Sequence, residues 1–409
     1  MEKKTFWIIN QYASTPQTSM GGRHYYIAQE LIKKGYKVYI IAGSYSHLLQ
    51  NPKDFDTDIL IENIEPNFDF VWIKLPKYSH AHSKKRIINE FIFAKKIATL
   101  GKPELKNPDV ILYSSPALIG YLGTKLLKLK YKVPLIFEIR DPWPLTLIEM
   151  GGYSKNHPFI KFLQWIEDNA YQEANFAFSN FFNAIEHMQS RGLNPKKFAW
   201  IPNGIFLPEL QNPELLPDEV LNQFPKGKFV IGYTGTLGLA NAMCYLIEAA
   251  KILAEYPDIH FVIIGSGREK LNLINQAKDL TNVTFIDPIL KAQVQSALEE
   301  FNVCYIGWQK NKMYRLGVAA NKLPEYLYSG KPILHSYSGA GDFVRQANAG
   351  LTVEAEDPQA IADAILKLYH LGPETLIQYG ENGRKFVLDN LTYYQIADKL
   401  IAKIFPEKD

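Results

Sequence analysis

Apolar runs of strand length alternate with helical patterns along most of the chain. The run TFWIIN at 5–10 is followed by a loop rich in Ser, Thr, Pro and Gly, and then by a helical pattern that ends at Gly35. The next run, YKVYIIAG, predicts a second strand, and the same order returns between VILYSS and PLIFEIRD at 134–141. Recurrent βαβ units of this kind predict an α/β protein with doubly wound, Rossmann-like parallel sheets.

A proline-rich segment separates two series of these units. We predict an N-terminal domain at 1–201, a linker at 202–228 and a C-terminal domain at 229–390. A further helix is predicted at 391–409, where no strand is left to follow it, and we expect it to pack back on the N-terminal domain. Ligands of such sheets bind outside the carboxyl ends of the strands, so two facing domains would hold a ligand in the interdomain cleft.

Composition narrows the class of protein. The 409 residues are 47% apolar and 21% charged, which is enough for two large cores and excludes a disordered chain. Two cysteines, Cys244 and Cys304, cannot form a disulfide framework, which favours a reducing cytosol. No apolar stretch reaches the roughly 18 residues of a membrane span, and the first one is shorter than that of a signal peptide. We therefore expect a cytoplasmic protein that is at most peripheral to a membrane.

The charge is distributed unevenly between the two halves. Residues 1–200 carry 26 Lys and Arg against 18 Asp and Glu, a net charge of +8, whereas the remainder carries −5. A basic half favours a polyanionic partner such as nucleic acid, an anionic membrane face or a phosphorylated substrate. A solvated, lysine-rich surface explains the same numbers equally well.

Three glycine-containing loops follow predicted strands. Each loop alone is more typical of tight packing than of a phosphate site, but three at the carboxyl ends of strands predict a site for a phosphorylated ligand. None matches GxGxxG or the Walker A pattern, which disfavours dinucleotide-binding and P-loop proteins. The candidate ligand-binding residues are Gly21, Gly22 and Arg23 in the first loop, Gly235, Thr236 and Gly238 in the second, and Gly265, Gly267 and Arg268 in the third.

Two further segments concentrate polar side chains. A helix that begins near Asn321 places Lys322 and Glu325 on one face, where a lysine can meet a diphosphate and a carboxylate can accept from two sugar hydroxyls. An ordinary ion pair between them is the alternative.

In the other segment, EIRDPWP, charged residues end a predicted buried strand, so Glu138, Arg140 and Asp141 are site candidates unless Arg140 and Asp141 form a structural pair. The nine histidines form no HExxH or similar cluster, so no metal is predicted.

The motifs occur in a characteristic order over the whole chain: NQYAS, MGGRHYYIAQEL, FEIRDPWP, GYTGTLG, FVIIGSGREK, GVAANKLPEYLYSGKPIL and GLTVEAEDP. In this set the chain resembles the family 4 retaining glycosyltransferases of GT-B fold, in the branch of bacterial surface-polysaccharide enzymes similar to fucosamine transferases. The resemblance implies a nucleotide-sugar donor, usually a UDP-sugar, held mainly by the C-terminal domain. It also implies an acceptor on the N-terminal domain and no obligatory metal or other cofactor.

The resemblance also assigns roles to individual residues. Glu325 would grip the ribose hydroxyls, while the first glutamate of the family's pair is replaced by Gly317. The family's phosphate-binding Arg and Lys are missing from TLGLANAM, so Lys322, Arg315 or Arg268 would replace them. Arg140 and Asp141 stand where many relatives have His-Asp near the acceptor, and with Lys322 they are the candidate catalytic residues.

The implied reaction is a front-face displacement in O-antigen or capsule synthesis. Cations and helix N-termini stabilise the departing nucleotide diphosphate, whose own oxygen takes the acceptor proton. The resemblance suggests a polyprenyl-diphosphate-linked acceptor, which places the enzyme at the inner face of the membrane, and no nucleic-acid motif accompanies the basic half. A nucleotide-sugar 2-epimerase and a non-catalytic nucleotide-sugar-binding protein are the alternatives.

Overall fold

The apolar runs of the first half form one sheet in the computed structural model, which describes residues 3–78, 83–101 and 103–406. The ends of the predicted terminal segments, 1–2 and 407–409, lie outside the described residues. The strands are β1 (Thr5–Ile9), β2 (Lys37–Gly43), β3 (Ile59–Glu65), β4 (Phe68–Ile73), β5 (Val110–Ser114), β6 (Leu135–Ile139), β7 (Phe176–Ser179) and β8 (Phe198–Trp200). Their order across the sheet is β3-β4-β2-β1-β5-β6-β7-β8.

All strands of this sheet run parallel except β3, which pairs antiparallel with β4. The turn between them contains Asn67 with φ at 68°, a conformation that asparagine tolerates better than most residues. β3 is an edge strand and only partly buried, whereas every residue of β1 is buried because helices cover both faces of the sheet. The antiparallel edge is not part of the sequence prediction.

Helices connect the strands and complete the core of the first half. The aromatic side chains of Trp7, Tyr113 and Phe137 are fully buried between sheet and helices. The helices are α1 (Arg23–Lys33), α2 (Lys84–Ala98), α3 (Gly120–Tyr131), α4 (Leu145–Glu149), α5 (Pro158–Glu173) and α6 (Ala184–Ser190), with a 3-10 turn at Pro195–Lys197.

The second half forms a separate sheet in which all pairs are parallel. Its order is β11-β10-β9-β12-β13-β14. The strands are β9 (Phe229–Thr234), β10 (Ile259–Ile264), β11 (Val283–Ile286), β12 (Val303–Gly307), β13 (Ile333–Ser336) and β14 (Gly350–Val353). The helices are α7 (Leu207–Leu210), α8 (Asp218–Leu221), α9 (Met243–Ile252), α10 (Lys270–Gln276), α11 (Val294–Glu299), α12 (Lys322–Tyr328), α13 (Phe343–Gln346), α14 (Pro358–His370) and α15 (Pro373–Asn390), with 3-10 turns at Leu239–Asn241, Lys291–Gln293 and Lys312–Leu316.

The prediction of two doubly wound α/β sheets is confirmed. The chain divides into a first unit, residues 1–202 with 393–409, and a second unit, residues 203–392. The segment predicted as a linker at 202–228 belongs largely to the second unit, where it forms α7 and α8. Glu214 fixes it there, because its N–H donates to Ala292 O at 2.9 Å and its carbonyl accepts from Ser296 Oγ at 2.7 Å.

The last helix, α16 (Tyr393–Ile404), belongs to the first unit. It packs on α1, where Lys34 forms an ion pair with Asp398 at 2.6 Å and the rings of Tyr26 and Tyr393 lie 5.3 Å apart. Within the described ranges, no helix is both long and apolar enough to cross a bilayer.

Candidate functional site

The residues that follow β1, β2 and β6 enclose a cavity in the first unit. Its volume is about 410 Å³, and Gly22, His47, Arg86, Arg140 and Asp141 are among the residues that line it. The loops leave the carboxyl ends of parallel strands, which is the edge where α/β sheets bind ligands. The first unit therefore contains a candidate ligand site of its own.

A pair of glycines forms the start of α1 at this cavity. Gly21 and Gly22 have φ angles of +64° and +93°, which residues with a Cβ rarely adopt. A Cβ on Gly22 would meet no atom within 4 Å, and no side chain caps the first turn of α1. The loop thus leaves space beside a helix N-terminus, where an anion binds favourably.

A buried ion cluster joins α1 to β6. Glu138 contacts Arg23 Nε at 3.0 Å, His24 Nε2 at 2.7 Å and Ser114 Oγ at 2.7 Å. Burial acts to raise the pKa of Glu138, but Arg23 and His24 outweigh it and hold the pKa well below its ordinary value. Glu138, a site candidate from the sequence, is therefore a charged carboxylate that pairs with buried residues of the first unit itself.

His24 is held in one tautomer by its two partners. Asn10 Nδ2 donates to His24 Nδ1 at 3.1 Å, while Asn10 Oδ1 accepts from Tyr12 N at 2.9 Å. The proton of the ring therefore lies on Nε2 and is donated to Glu138. Burial lowers the pKa of His24 in spite of that carboxylate, which keeps the imidazole neutral.

The contacts of Arg23 differ from those expected of a cation that binds the donor. Its side chain is 1% exposed, and its remaining N–H groups donate to Pro202 O and, at 2.8 Å, to Ile201 O. A guanidinium bonded to Glu138 and two carbonyls cannot turn to a ligand without leaving a buried carboxylate uncompensated. The structure favours a structural role for Arg23.

Arg140 and Asp141 both line the cavity but do not form the structural pair that was the alternative for them. Asp141 accepts from Trp143 Nε1 at 2.9 Å and from Thr146 Oγ1 at 2.5 Å, and burial raises its pKa. Arg140 is anchored through its backbone N–H, which donates to Ser115 Oγ at 3.0 Å, while its side-chain Nε is buried without a hydrogen-bond partner.

Arg86 also lines the cavity, together with Arg23 and Arg140, and the sequence prediction does not include it in the site. Its guanidinium lies 5.7 Å from the ring centroid of Tyr12 and 5.1 Å from that of Trp143, and Nε donates to Tyr12 OH at 3.1 Å. The buried carboxyl of Glu90 lies near it: burial raises the pKa of Glu90 to about 7, while Arg86 acts in the opposite direction. These aromatic contacts fix the position of the Arg86 guanidinium.

In the second unit, Lys322 lies against the glycine loop that follows β9. Its Nζ donates to Tyr233 OH at 2.6 Å and lies 3.4 Å from Asn241 Oδ1. A Cβ on Gly235 would come within 2.7 Å of Nζ. Burial lowers the pKa of Lys322 to about 8, although Glu325 acts to raise it. The amine is thus a partly buried cation with neutral hydrogen-bond partners.

The glycines of the second unit are explained mainly by packing. A Cβ on Gly265 would lie 1.9 Å from Gly235 O, and one on Gly267 would lie 2.2 Å from Leu237 O. The loops after β9 and β10 therefore touch through their backbones. Thr236 adds to this framework, because its carbonyl accepts from Tyr233 OH at 2.7 Å and from Asn241 Nδ2 at 2.9 Å.

Glu325 does not pair with Lys322. It forms an ion pair with Lys291, and its backbone carbonyl accepts from Gln295 Nε2 at 3.2 Å. The ion-pair alternative for Lys322 and Glu325 is therefore not what the structure shows. Asn321, next to Lys322, accepts from Asn203 Nδ2 at 2.9 Å.

The other predicted residues of the second unit are less tied to this group. Arg268 is exposed, and exposed Arg315 donates to Lys312 O at 2.7 Å. Gly238 has room for a Cβ. Gly317, which replaces the first glutamate of the family pattern, has φ at 97°, a backbone conformation that a glutamate would rarely adopt.

Metal ligands do not converge in the described part of the chain: no three His, Cys, Asp or Glu side chains are placed to hold an ion. The expectation that activity needs no metal stays a prediction, as do the binding roles of the glycines, Thr236, Asn321, Lys322 and Glu325.

Several residues that contact these candidates are not predicted by the sequence. Tyr233 lies in a run that predicts a buried strand, and Asn241 lies in TLGLANAM, where the only signal is the lack of basic residues. Arg86 follows Lys84 and Lys85 in a run typical of a basic surface cluster. No spacing pattern in the sequence distinguishes a cation that turns inward from one that faces solvent.

Two models of protein families match successive parts of the chain. The model described as Glycosyltransferase Family 4 matches residues 23–207, and the model described as Glycosyl transferases group 1 matches residues 228–370. No curated protein matches the chain.

Solved structures share the fold over nearly the full length. Sucrose-phosphate synthase from Thermosynechococcus elongatus is 15% identical with a TM-score of 0.67, covering 97% of both chains. An alpha,alpha-trehalose-phosphate synthase (UDP-forming) from Burkholderia vietnamiensis is 13% identical with a TM-score of 0.70, covering 98% of this chain and 99% of that one. Anabaena HepE in complex with UDP and glucose is 12% identical with a TM-score of 0.62 and the same coverage. Identities this low concern the fold alone.

Proposed function

Because this chain is a glycosyltransferase of GT-B fold, we propose that it transfers a sugar from a UDP-sugar to a glycan acceptor with retention of the anomeric configuration. The acceptor is a lipid-linked or oligosaccharide intermediate of a bacterial surface polysaccharide, such as O-antigen or capsule, and the donor sugar is of the fucosamine type. The resemblance of the motifs supports this finer assignment.

The position of Lys322 carries the proposal. Its ammonium lies against Gly235 at the carboxyl end of β9, and burial has already removed much of its hydration. Its partners Tyr233 and Asn241 orient the amine without neutralising it. A diphosphate that binds here gains a charge-assisted hydrogen bond, and the bond strengthens as negative charge develops on the leaving group.

Glu325 holds the ribose of the nucleotide in this proposal. Its ion pair with Lys291 limits the rotation of the carboxylate, and the side chain is 17% exposed, so it remains within reach of a ligand. Two adjacent hydroxyls can donate to one carboxylate. Uracil as the base is supported by two proteins of the same fold, because Anabaena HepE was solved in complex with UDP and the Burkholderia vietnamiensis synthase is UDP-forming.

The diphosphate charge is met by Lys322 and by exposed arginines such as Arg268 or Arg315 rather than by a divalent ion. We therefore expect transfer to continue in excess chelator. Inactivation by chelator that magnesium or manganese reverses would contradict this part of the proposal.

The experiment that tests the proposal compares Lys322→Met with Lys367→Met, a matched change at an exposed position of α14. We expect the first variant to bind UDP about 10- to 100-fold more weakly in calorimetry, as is typical when one hydrogen bond to a charged group is lost, and the control to bind like the parent. UDP-sugars should then be screened with an acceptor extract, and the product's anomeric configuration read by NMR. A parent protein that binds no UDP, or an inverted product, would refute the proposal.

We also propose that the enzyme docks peripherally on an anionic membrane, where a polyprenyl-diphosphate-linked acceptor resides. The support is an aromatic strip on α2 and α5: Phe91 stacks on Phe162 at 6.1 Å, and Phe162 stacks on Trp165 at 6.2 Å. Phe91 and Trp165 are about half exposed. Exposed aromatic and basic side chains together are typical of surfaces that bind a membrane interface.

Only part of the basic half contributes to such a surface. Lys84 and Lys85 are exposed at the start of α2, whereas Lys96 pairs with Asp58 at 2.7 Å and Lys125 pairs with Glu173 at 2.7 Å. Arg86 faces the cavity. The lipid-facing charge is therefore smaller than the net charge of the half predicts.

A further inference from the structure

Arg140 is a cation that the first unit leaves without a bonding partner. Apart from the backbone N–H that donates to Ser115 Oγ, Arg140 makes no hydrogen bond with the described residues. Its Nε is buried, so water does not satisfy that donor. A buried guanidinium N–H without an acceptor costs free energy, and an arginine lining a cavity can recover it from a ligand.

The carboxylates near Arg140 are already committed to other donors. In Glu138, Oε1 accepts from Arg23 and Oε2 from His24 and Ser114. In Asp141, Oδ1 accepts from Thr146 and Oδ2 from Trp143. Each carboxylate oxygen has a donor, and none of these donors is Arg140. Among the described residues, neither of these two carboxylates therefore supplies the acceptor that Arg140 lacks.

Arg86 places a second positive charge on the same cavity. Its guanidinium is held over the rings of Tyr12 and Trp143, so its position is fixed before a ligand arrives. The uncapped N-terminus of α1 at Gly22 adds partial positive charge to the same wall. A cavity of about 410 Å³ is within the size range of small-molecule sites.

We propose that this cavity is a subsite for a sugar that carries a carboxylate or a phosphate group, and that Arg140, with Arg86 beside it, binds that anion. The inference rests on the proposed function, because it assigns the acidic group to the acceptor sugar. An uncharged sugar would leave Arg140 Nε unpaired and would bind more weakly, since a site built to pair a polar group rejects a ligand that lacks it. The planar guanidinium suits both carboxylate and phosphate.

The test compares acidic and neutral sugars on the full chain. Glucuronic acid, glucose 6-phosphate, glucose and UDP are titrated in separate calorimetric experiments at one ionic strength. The parent, Arg140→Gln and Arg345→Gln are compared, the last being a matched change at a position where the side chain is 74% exposed. We expect at least one acidic sugar to bind the parent tenfold or more tightly than glucose does. Arg140→Gln should weaken that binding about 10- to 100-fold and leave UDP binding unchanged.

Several outcomes would overturn the inference. If acidic sugars bind the parent no better than glucose does, the inference is overturned. This comparison needs no variant, so the test remains valid if Arg140→Gln fails to fold. Arg140→Lys keeps the charge but loses the planar guanidinium. If both variants bind acidic sugars as tightly as the parent does, the inference is also overturned. Loss of UDP binding alone in Arg140→Gln would assign the anion to the donor diphosphate instead. Absence of UDP binding in the parent is a different result, which refutes the proposed function.

Discussion

Each unit places a cation against glycine loops that follow its strands, but the two units use these residues in opposite ways. In the first unit the Gly22 position is open, whereas the cation Arg23 is locked to Glu138 in the interior. In the second unit the glycine position Gly265 is filled by a neighbouring backbone carbonyl, whereas the cation Lys322 has only neutral hydrogen-bond partners. Similar motifs therefore divide structural and binding roles differently, and only the contacts show which residue has which role.

The largest expected contrast is the difference in protein stability after replacement of each of the two cations, Arg23 and Lys322. Arg23→Met leaves Glu138 as a buried carboxylate without its main counter-charge, so we expect a loss of about 3 to 5 kcal/mol in the free energy of unfolding. Lys322→Met removes a partly desolvated amine with no bonded carboxylate and should change stability little. Urea denaturation of both variants checks this, and equal losses would show that Lys322 is as structural as Arg23.

The glycines should show the reverse contrast. Gly265→Ala places a Cβ 1.9 Å from Gly235 O, which combines overlap with an unfavourable φ, so we expect a loss of about 3 kcal/mol or more. Gly22→Ala meets no atom and should cost only the backbone term, about 1 to 3 kcal/mol, because its φ of 93° and ψ of −175° favour glycine. Thermal unfolding checks both, with Gly238→Ala as the control. A Gly265→Ala variant as stable as that control would break the comparison.

The sheets could be predicted from the sequence, whereas the side-chain contacts behind these contrasts could not. The buried runs such as TFWII and FVIGYT predict both sheets, because parallel strands covered on two faces must be continuously apolar. They do not predict the β3–β4 hairpin, because β3 is only partly buried and polar residues interrupt its apolar run. For the candidate site, the sequence predicts the loop with GG before a helix and the helix with Lys322 and Glu325, but their partners Lys291 and Tyr233 come from distant positions. Local spacing contains no information about those pairings.

Buried titratable groups give a pH contrast within the first unit. The pKa of Glu90 is about 7 in the folded protein and roughly 4.3 in an unfolded chain. The folded state therefore holds the proton more tightly, and its stability falls as pH rises between these values, by roughly 4 kcal/mol. Glu90→Gln should remove this fall, so the difference between parent and variant should grow from pH 4.5 to pH 7. A constant difference in denaturation midpoints would contradict it.

Lys322 should give a pH effect on binding rather than on folding. Its pKa of about 8 rises when a diphosphate binds, so UDP affinity should fall by up to roughly tenfold per pH unit above pH 8, where the diphosphate no longer changes its own charge. Lys322→Arg keeps its charge in this range and should show a flat profile between pH 7 and 9. Parallel profiles for the two proteins, measured by calorimetry, would argue against Lys322 as the titrating group.

The smallest expected effect concerns the surface of the first unit. Lys84→Glu with Lys85→Glu should weaken sedimentation with anionic vesicles, because each basic side chain contributes about 1 kcal/mol near such a surface. Trp165→Ser tests the aromatic strip separately. Matched reversals at Lys367 and Lys385, exposed positions of the second unit, are the control. Unchanged sedimentation of the first variant and of Trp165→Ser would show that this face is only solvated.

The return of the last helix to the first unit has a consequence for biosynthesis. The ring of Phe405 lies 5.9 Å from that of Phe6 in β1 and 6.2 Å from that of Tyr36, and Lys4 lies over it at 3.7 Å. β1 therefore obtains part of its cover from residues that are translated only after the whole second unit has been made. Until then those aromatic surfaces stay open to solvent or to a chaperone. A ribosome that stops before α16 releases a first unit with an uncovered flank, which gives protein quality control a way to recognise incomplete chains.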